Sequence, residues 1–511
     1  MRALISVHDK TGLVLFGRGL DALGFELVAS GGTAGALEEA RLPVTRVEEV
    51  TGFPELLEGR VKTLHPRIHA GILARRDRGA DLAALAEQGI EPFDLVCVNL
   101  YPFEQVVAGL DVSEDVAVET IDVGGPALLR AAAKNYAHVT VVSRPEDYEG
   151  VLAELRLRGR VSPETRRRLA AAAFAASAAY DAAIARWFQR GEPFPETLVP
   201  AFSRTLALAY GENPHQRAAY YAERGARTHL LSRVEQLHGK PLSFNNLADL
   251  SAGRLLVHEL ERPACAIVKH ANPCGVAVAD TIEEAYEKAL AADPVSAYGG
   301  VVVLNRGVSA ALGEALARQF VEVLFAPGYD EQAMEALARR TGVRVLDDTE
   351  RRALDPAGER DYRRVLGGLL VQDRDAGIDR RERMEVVCGQ VSEREWEDLL
   401  FAWQVVKHVD SNAIVLARAG QTIGIGAGQT SRVDAVRIAL DKARRLGHAL
   451  AGAVLASDAF FPFADGPELA LEAGVRALVQ PGGSKRDPEV IAAVSRAGGA
   501  MVFTSRRHFR H

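Results

Sequence analysis

Cysteine is scarce: Cys97, Cys265, Cys274 and Cys388 are the four among 511 residues. They are too few and too scattered for a disulfide framework, which points to a reducing, cytoplasmic home. Long apolar runs are missing too. The most apolar stretch, Ala170 to Ala185, is alanine rather than leucine and carries Asp181, so it reads as a soluble helix and not a membrane span. The opening MRALISVHDK meets charge at once and lacks the apolar core of a signal peptide. There is no excess of positive charge either: 61 Lys and Arg against 68 Asp and Glu give a net −7. That excludes a bulk nucleic-acid or acidic-membrane binder and leaves room for local basic pockets. Lysine itself is rare, nine of the 61 basic residues. A lysine kept against that bias, as at Lys62, Lys134 and Lys269, offers a compact amine that guanidinium cannot replace.

What is present is ordinary globular material, 48% hydrophobic and 25% charged, which excludes disordered and fibrous classes. The length suggests about three domains or subdomains. The first 150 residues alternate strand and helix signals. Apolar runs at Ala3–Val7, Phe25–Ala29, Val44–Val47, Leu95–Val98 and Val139–Val142 are separated by helical spacing, as over Leu13–Leu23 and from Ala34. That alternation predicts βαβ units and a parallel, doubly wound sheet, with ligands at the carboxyl ends of the strands. An alanine-rich helix over Ser162–Arg190 then runs into Gly191-Glu-Pro-Phe-Pro195, a candidate boundary. Beyond it the pattern repeats. Ala266-Ile-Val, a helix near Ile282 and Gly300-Val-Val-Val are echoed by Ala413-Ile-Val, a helix near Arg432 and Gly452-Ala-Val-Leu, an offset of 147 residues. This suits two copies of one αβα subdomain.

Five places carry candidate chemistry. Ser30-Gly-Gly-Thr33 links a strand to a helix, and its backbone N–H groups at a positive helix end make an anion cradle that Ser6, Lys10 and Thr11 can reach. It is neither a dinucleotide fingerprint nor a P-loop. Gly59 to Gly71 packs Arg60, Lys62, His65, Arg67 and His69 between proline and glycine with no helical face, which favours a pocket loop over a solvated surface. Asn99-Leu-Tyr101 follows a strand, and with Asp122-Val-Gly124-Gly125 and Lys134 it can bind a phosphorylated, amide-bearing substrate. In the second half, Lys269-His270 ends an apolar strand with an amine and an imidazole side by side, a candidate proton-transfer pair. Phe460-Phe-Pro-Phe-Ala-Asp465 is either core or a clamp for a flat ring. Pro273-Cys274 is half of a zinc-deaminase motif, but Gly-Val-Ala follows where the second cysteine belongs, so no zinc site is expected.

In order along the chain stand Ser6-Val-His-Asp-Lys-Thr-Gly12, Ser30-Gly-Gly-Thr33, Arg60-Val-Lys-Thr-Leu-His-Pro66, Asn99-Leu-Tyr-Pro-Phe103 and Lys269-His-Ala-Asn-Pro-Cys-Gly275. Ser411-Asn412, Gly424-Ile-Gly-Ala-Gly-Gln429, Phe460-Phe-Pro-Phe463 and Arg507-His-Phe509 follow. End to end, this resembles the bifunctional AICAR transformylase/IMP cyclohydrolase family of purine biosynthesis.

The resemblance implies a methylglyoxal-synthase-like cyclohydrolase domain over 1–195 (core about 1–145 plus a helical linker). It implies a transformylase domain over 196–511, made of two cytidine-deaminase-like subdomains, about 200–365 and 366–511, lacking zinc. It implies 10-formyltetrahydrofolate as cosubstrate, no metal, and a cytoplasmic homodimer with transformylase sites at the interface. Its ligands would be AICAR, formyl-AICAR and IMP, with no nucleic acid and no membrane. By the same resemblance Lys269, His270 and Asn412 act in formyl transfer, while Tyr210 and Arg507 hold the nucleotide. Tyr298, Pro462, Phe463 and Asp465 would take the folate. Lys62, Tyr101, Asp122 and Lys134 would serve ring closure, over a substrate held by Ser6, Lys10, Ser30, Gly31, Gly32, Thr33, Arg60, Thr63, Asn99, Gly124 and Gly125.

Two positions depart from the family pattern: Ala209 replaces a common arginine before Tyr210, and Tyr298 replaces phenylalanine. Two rival readings are an effector-binding N-terminal domain and a non-catalytic nucleotide-binding protein. Intact Lys62, Tyr101, Asp122 and Lys134 oppose the first, and Lys269 with His270 opposes the second.

Overall fold

A computed structural model describes residues 1–109, 112–225, 234–348 and 359–511. The chain divides into two compact units. One comprises Met1–Ser203 with Glu223–Gly225; the other begins with Arg204–Ala222 and runs on to His511.

The first unit holds the five expected strands: β1 (Arg2–Ser6), β2 (Glu26–Ala29), β3 (Val44–Arg46), β4 (Leu95–Val98) and β5 (Thr140–Val142). Every pairing is parallel, in the order β3-β2-β1-β4-β5. The apolar runs were readable because β1, β2, β4 and β5 are buried on both faces, as parallel strands are. The order reverses between β1 and β4, so the crevice for a ligand opens beyond Ser6 and Val98. The alanine-rich helix spans Pro163–Phe188, and the Ser162 hydroxyl caps it by accepting from the Thr165 amide. Its alanines let it pack closely against the helix Gly124–Lys134.

Among its described residues, the second unit is built on one sheet of twelve strands that reads the same outward from its centre in both directions. On one side Asn272–Val278 and Ala264–Lys269 form an antiparallel hairpin. Gly300–Leu304, Val321–Ala326 and Arg344–Asp348 follow in parallel, and Val234–His238 closes the edge antiparallel. On the other side the matching strands are Gln421–Gly426, Ile414–Arg418, Val454–Ser457, Ala477–Gln480, Ala500–Phe503 and Glu385–Cys388. The duplication is therefore real.

Its register differs from the sequence match. Gly275 pairs with Ile267 and Gly424 pairs with Leu416, so equivalent residues lie 149 apart rather than 147. A slip of two residues keeps every side chain on its own face, which is why the shorter offset also looks right.

The two halves join where Ala277 pairs with Gln421. The Thr422 hydroxyl accepts from the Val276 amide at 3.0 Å and donates to its carbonyl at 3.2 Å. Alternate residues feed different layers. Ala264, Ala266, Val268, Ala413 and Val415 point into one core shared by both copies, under the helices Phe244–His258 and Glu393–Val406. Cys265 and Ile267 enter one separate core on the opposite face, and Ile414 and Leu416 enter another.

Gly275 and Gly424 let the helices Ile282–Ala292 and Arg432–Arg445 sit against the strands. A Cβ on either would collide with the carbonyl oxygen of Ala289 or Ala439. Because helix backbone cannot yield, Gly275→Ala and Gly424→Ala are each expected to cost about 2–4 kcal/mol. Urea denaturation checks this; an unchanged midpoint for either variant would refute the close approach.

Candidate functional sites

In the first unit, two helix N-termini and one loop converge at the carboxyl edge of the sheet. Ser30 precedes the helix Gly31–Glu39, and Thr33 ties that turn to β1 by accepting from the Val7 amide at 3.1 Å and donating to its carbonyl at 3.0 Å. A Cβ at Gly31 would lie 3.2 Å from the Lys62 ammonium, and one at Gly32 3.8 Å from that of Lys10. Two cations thus face the glycine turn, next to its orphan N–H groups. Thr63 meets the start of the second helix: a Cβ at Gly124 would stand 3.0 Å from its hydroxyl. Arg60 instead pairs with Glu119 on an exposed face.

Asp122 accepts from the Gly125 amide at 2.7 Å. Its burial raises the carboxyl above the usual range, while hydrogen bonds from the Gly125 and Tyr101 amides and the nearby His8 charge pull the other way. Tyr101 is exposed at the mouth and touches His8 edge to face. Asn99 binds the chain opposite, with Oδ1 accepting from the His8 and Asp9 amides at 2.6 and 3.0 Å.

Lys134 does not join them. It ends the 11-residue helix that Gly124 begins, so about 15 Å of helix separates the two. Lys134 lies instead beside Leu73, Tyr136 and Arg167, toward the other edge of the sheet.

In the second unit the strand Ala264–Lys269 turns through His270 and Ala271, both at positive φ, 55° and 60°. Two-residue hairpins favour this twist, but at non-glycine residues it is strained. Asp249, on the helix beneath, holds the turn by accepting from the Ala271 amide at 2.6 Å. Burial raises the Asp249 carboxyl, against the pull of the turn amides and the His270 charge. The matching turn of the second copy is Ala419-Gly420, held in the same way by Asp398 at 2.9 and 2.8 Å. It follows Arg418 and carries neither amine nor imidazole.

Lys269 donates to the Tyr298 carbonyl at 2.8 Å, which gathers Tyr298 to the amine. Asn272 and Asp410 exchange two hydrogen bonds at 2.7 and 2.9 Å, and so seat the His270 turn against the Asp410-Ser411-Asn412 segment. The Asn412 amide is oriented on both sides: Oδ1 accepts from Arg432 at 2.7 Å and Nδ2 donates to the Gln429 carbonyl at 2.8 Å. Arg432 also pairs with buried Asp458, which leads into the aromatic run. There Phe461 is core, while Phe463 is exposed under the Arg486 guanidinium, 4.8 Å from its ring centre. Pro462 and Asp465 are exposed beside it. The Tyr210 carbonyl accepts from Phe244 at the start of the helix that bears Asp249. Among the described residues no group of three or more His, Cys, Asp or Glu side chains is placed to hold a metal ion.

The family model described as AICARFT/IMPCHase bienzyme matches residues 132–442, and one described as an MGS-like domain matches residues 12–127. The bifunctional purine biosynthesis protein PurH of Magnetococcus marinus is 50% identical over 527 residues, covering 100% of this chain and 99% of its own length. PurH of Roseobacter denitrificans is 51% identical over 526 residues, covering 100% and 98%. The chain belongs to the AICARFT/IMPCHase bienzyme family. A solved chain titled crystal structure of ForH is 42% identical, covers 37% of this chain and 98% of its own length, and superposes with a TM-score of 0.34. No helix among the described residues is long and apolar enough to cross a membrane.

For this bienzyme, sequence reasoning missed the residues that hold the named ones: Asp249, Asp410, Arg432 and the partners of His508. Buried His508 lies between Asp375 and Asp379, with its Nε2 2.9 Å from Asp379. Trp403 and Arg506 also reach Asp379, at 2.9 and 3.1 Å. The clamp fixes the chain beside Arg507, whose exposed guanidinium rests 4.7 Å from the Phe509 ring centre.

Burial works against the His508 charge, but hydrogen bonds to the two carboxylates outweigh it and raise the imidazole above its usual value. A raised folded value means this stabilisation is complete below the unfolded pKa of about 6.5 and is lost as pH climbs through the folded one. Asp375 and Asp379 are depressed, so their contribution fades only below about pH 4. Between pH 6 and 9, the urea midpoint of the native chain is expected to fall, and that of His508→Gln to fall less. Parallel curves would show that His508 is not charged in the clamp.

Proposed function

We propose that residues 1–195 carry IMP cyclohydrolase and residues 196–511 AICAR transformylase, together making the last two steps of IMP synthesis. The observation that carries this is the joining of Lys269, His270 and Asn412 through Asn272 and Asp410, in a chain of the bienzyme family.

Formyl passes from 10-formyltetrahydrofolate to the 5-amino group of AICAR. That amine is a poor nucleophile, since its lone pair is delocalised into ring and carboxamide, so a base must remove its proton as the bond forms. His270 takes this role at the tip of its turn. Because Arg432 occupies Oδ1 of Asn412, the amide offers its N–H to the formyl oxygen as negative charge builds there. Lys269 stabilises the same oxygen or protonates the departing folate nitrogen. Pro462, Phe463, Tyr298 and Asp465 receive the folate, and Tyr210 and Arg507 the nucleotide.

In ring closure the carboxamide nitrogen attacks the formyl carbon of the same molecule, so holding one conformer supplies much of the rate, up to roughly 7–11 kcal/mol in ideal cases. The phosphate sits on Ser30–Thr33 with Ser6, Lys10 and Lys62. Thr63, Asn99, Gly124 and Gly125 line the crevice, and Tyr101 and Asp122 orient the amide. Arg60, engaged with Glu119, acts at the rim. In one chain Lys134 is out of reach, so it serves this step only from a second copy, as a cytoplasmic homodimer allows. Neither step is routed through a metal.

Chromatography of nucleotides after incubation with AICAR and 10-formyltetrahydrofolate tests this reading. Native protein is expected to yield IMP and Lys62→Ala to stop at formyl-AICAR. Lys269→Ala should leave AICAR unused yet still close supplied formyl-AICAR. Formyl-AICAR as the end product of the native chain would sink the cyclohydrolase half, and unused AICAR the transformylase half. Mixing Lys62→Ala with Lys134→Ala chains should restore ring closure; no recovery would remove Lys134 from the mechanism.

A further inference from the structure

His8 stands in the crevice where the strand order reverses, just past the end of β1. Three hydrogen bonds with one side chain fix the backbone of His8 and Asp9: Asn99 Oδ1 accepts from both amides, and Nδ2 donates to the Asp9 carbonyl at 2.8 Å. The imidazole itself is exposed, perpendicular to the Tyr101 ring with centroids 5.3 Å apart. One residue earlier, Val7 is bonded to Thr33 of the anion cradle. On the other side the His8 charge is felt by the Asp122 carboxyl. The ring thus stands against Tyr101, on the residue that follows the one tied to the cradle.

The ionisable groups around it are few. Asp9 adjoins it but is engaged by the Thr11 hydroxyl at 2.7 Å and amide at 2.9 Å. The Lys10 ammonium is 3.4 Å from the His8 carbonyl. Tyr101 and Asp122 face it from the segment after β4 and from the start of the helix Gly124–Lys134.

Ring closure moves two protons from nitrogen to oxygen. As the carboxamide nitrogen bonds to the formyl carbon it loses one proton, and the formyl oxygen gains one to become a hydroxyl. The formamide nitrogen then gives up its proton, the carbon–nitrogen double bond forms, and the hydroxyl takes a proton and leaves as water. A carboxylate such as Asp122 accepts protons and an ammonium such as Lys62 donates them. Imidazole does both near neutral pH.

We propose that His8 is a further proton-transfer group of the cyclohydrolase step, accepting a proton from the nitrogen and returning one to the departing hydroxyl. This rests on the cyclohydrolase reading of the N-terminal site.

The test is conversion of purified formyl-AICAR to IMP by the full chain across pH 5.5–9, comparing native protein, His8→Gln and His8→Ser. Both variants are expected to lose about 10²-fold in kcat with KM changed by less than about threefold, and to lose one limb of the native pH–rate profile. Added imidazole should partly rescue His8→Ser, and formyl transfer to AICAR should be unchanged. A kcat and pH profile equal to native in both variants would overturn the proposal, and so would a loss confined to KM. Native protein that fails to convert formyl-AICAR would refute the cyclohydrolase reading itself. An unaltered urea midpoint separates lost chemistry from lost folding.

Discussion

Two hydrogen bonds between Asn272 and Asp410 tie together the two segments that carry the second unit's proposed transformylase residues. They span 138 residues of sequence and join the two copies of a duplicated subdomain. The strained His270-Ala271 turn is on one side of this pair, and the segment carrying Asn412 is on the other. Both partners are half-buried, and each has a second contact, Asn272 with the His270 carbonyl and Asp410 with Arg510, so the pair matters for where it holds the chain more than for burial. Break the pair, and the turn carrying Lys269 and His270 loses its direct tie to the segment carrying Asn412.

Duplication explains the frame and not the chemistry. Each copy has a left-handed two-residue turn capped by an aspartate from the helix beneath, Asp249 in one and Asp398 in the other. Each also has a glycine under a packed helix. Only the first copy places Lys269 and His270 at that turn; the second has Arg418 and Ala419. The scaffold was built twice, and the side chains proposed to react, Lys269 and His270, stand on one copy. The N-terminal unit uses another device, a reversal of strand order between β1 and β4 that opens a crevice.

Much of this was legible in the sequence. The parallel sheet could be read because strands buried on both faces are short unbroken apolar runs, as in Leu95–Val98. The duplication was legible too, but its register was misjudged by two residues, since alternation along a strand cannot distinguish shifts of two. The cradle at Ser30–Thr33 and the Lys269-His270 pair were visible as polar groups interrupting apolar runs. The residues that orient them were not: Asp249, Asp410, Arg432, Asp375 and Asp379 are ordinary charged positions in sequence, and only long-range contacts give them work. Lys134 is different, because the signal was available. Ten helical steps from Gly124 carry it to the far end of the helix, a count the motif alone conceals.

As proposed, the two copies form one transformylase site through Asn272 and Asp410. A double-mutant cycle on single-turnover formyl transfer tests it most directly, using Asn272→Ala, Asp410→Ala and the double variant. If the pair acts as a unit, each single change lowers the rate and the double variant is no slower than the worse single one. Losses that multiply would mean the residues act independently, and the proposed frame would be wrong.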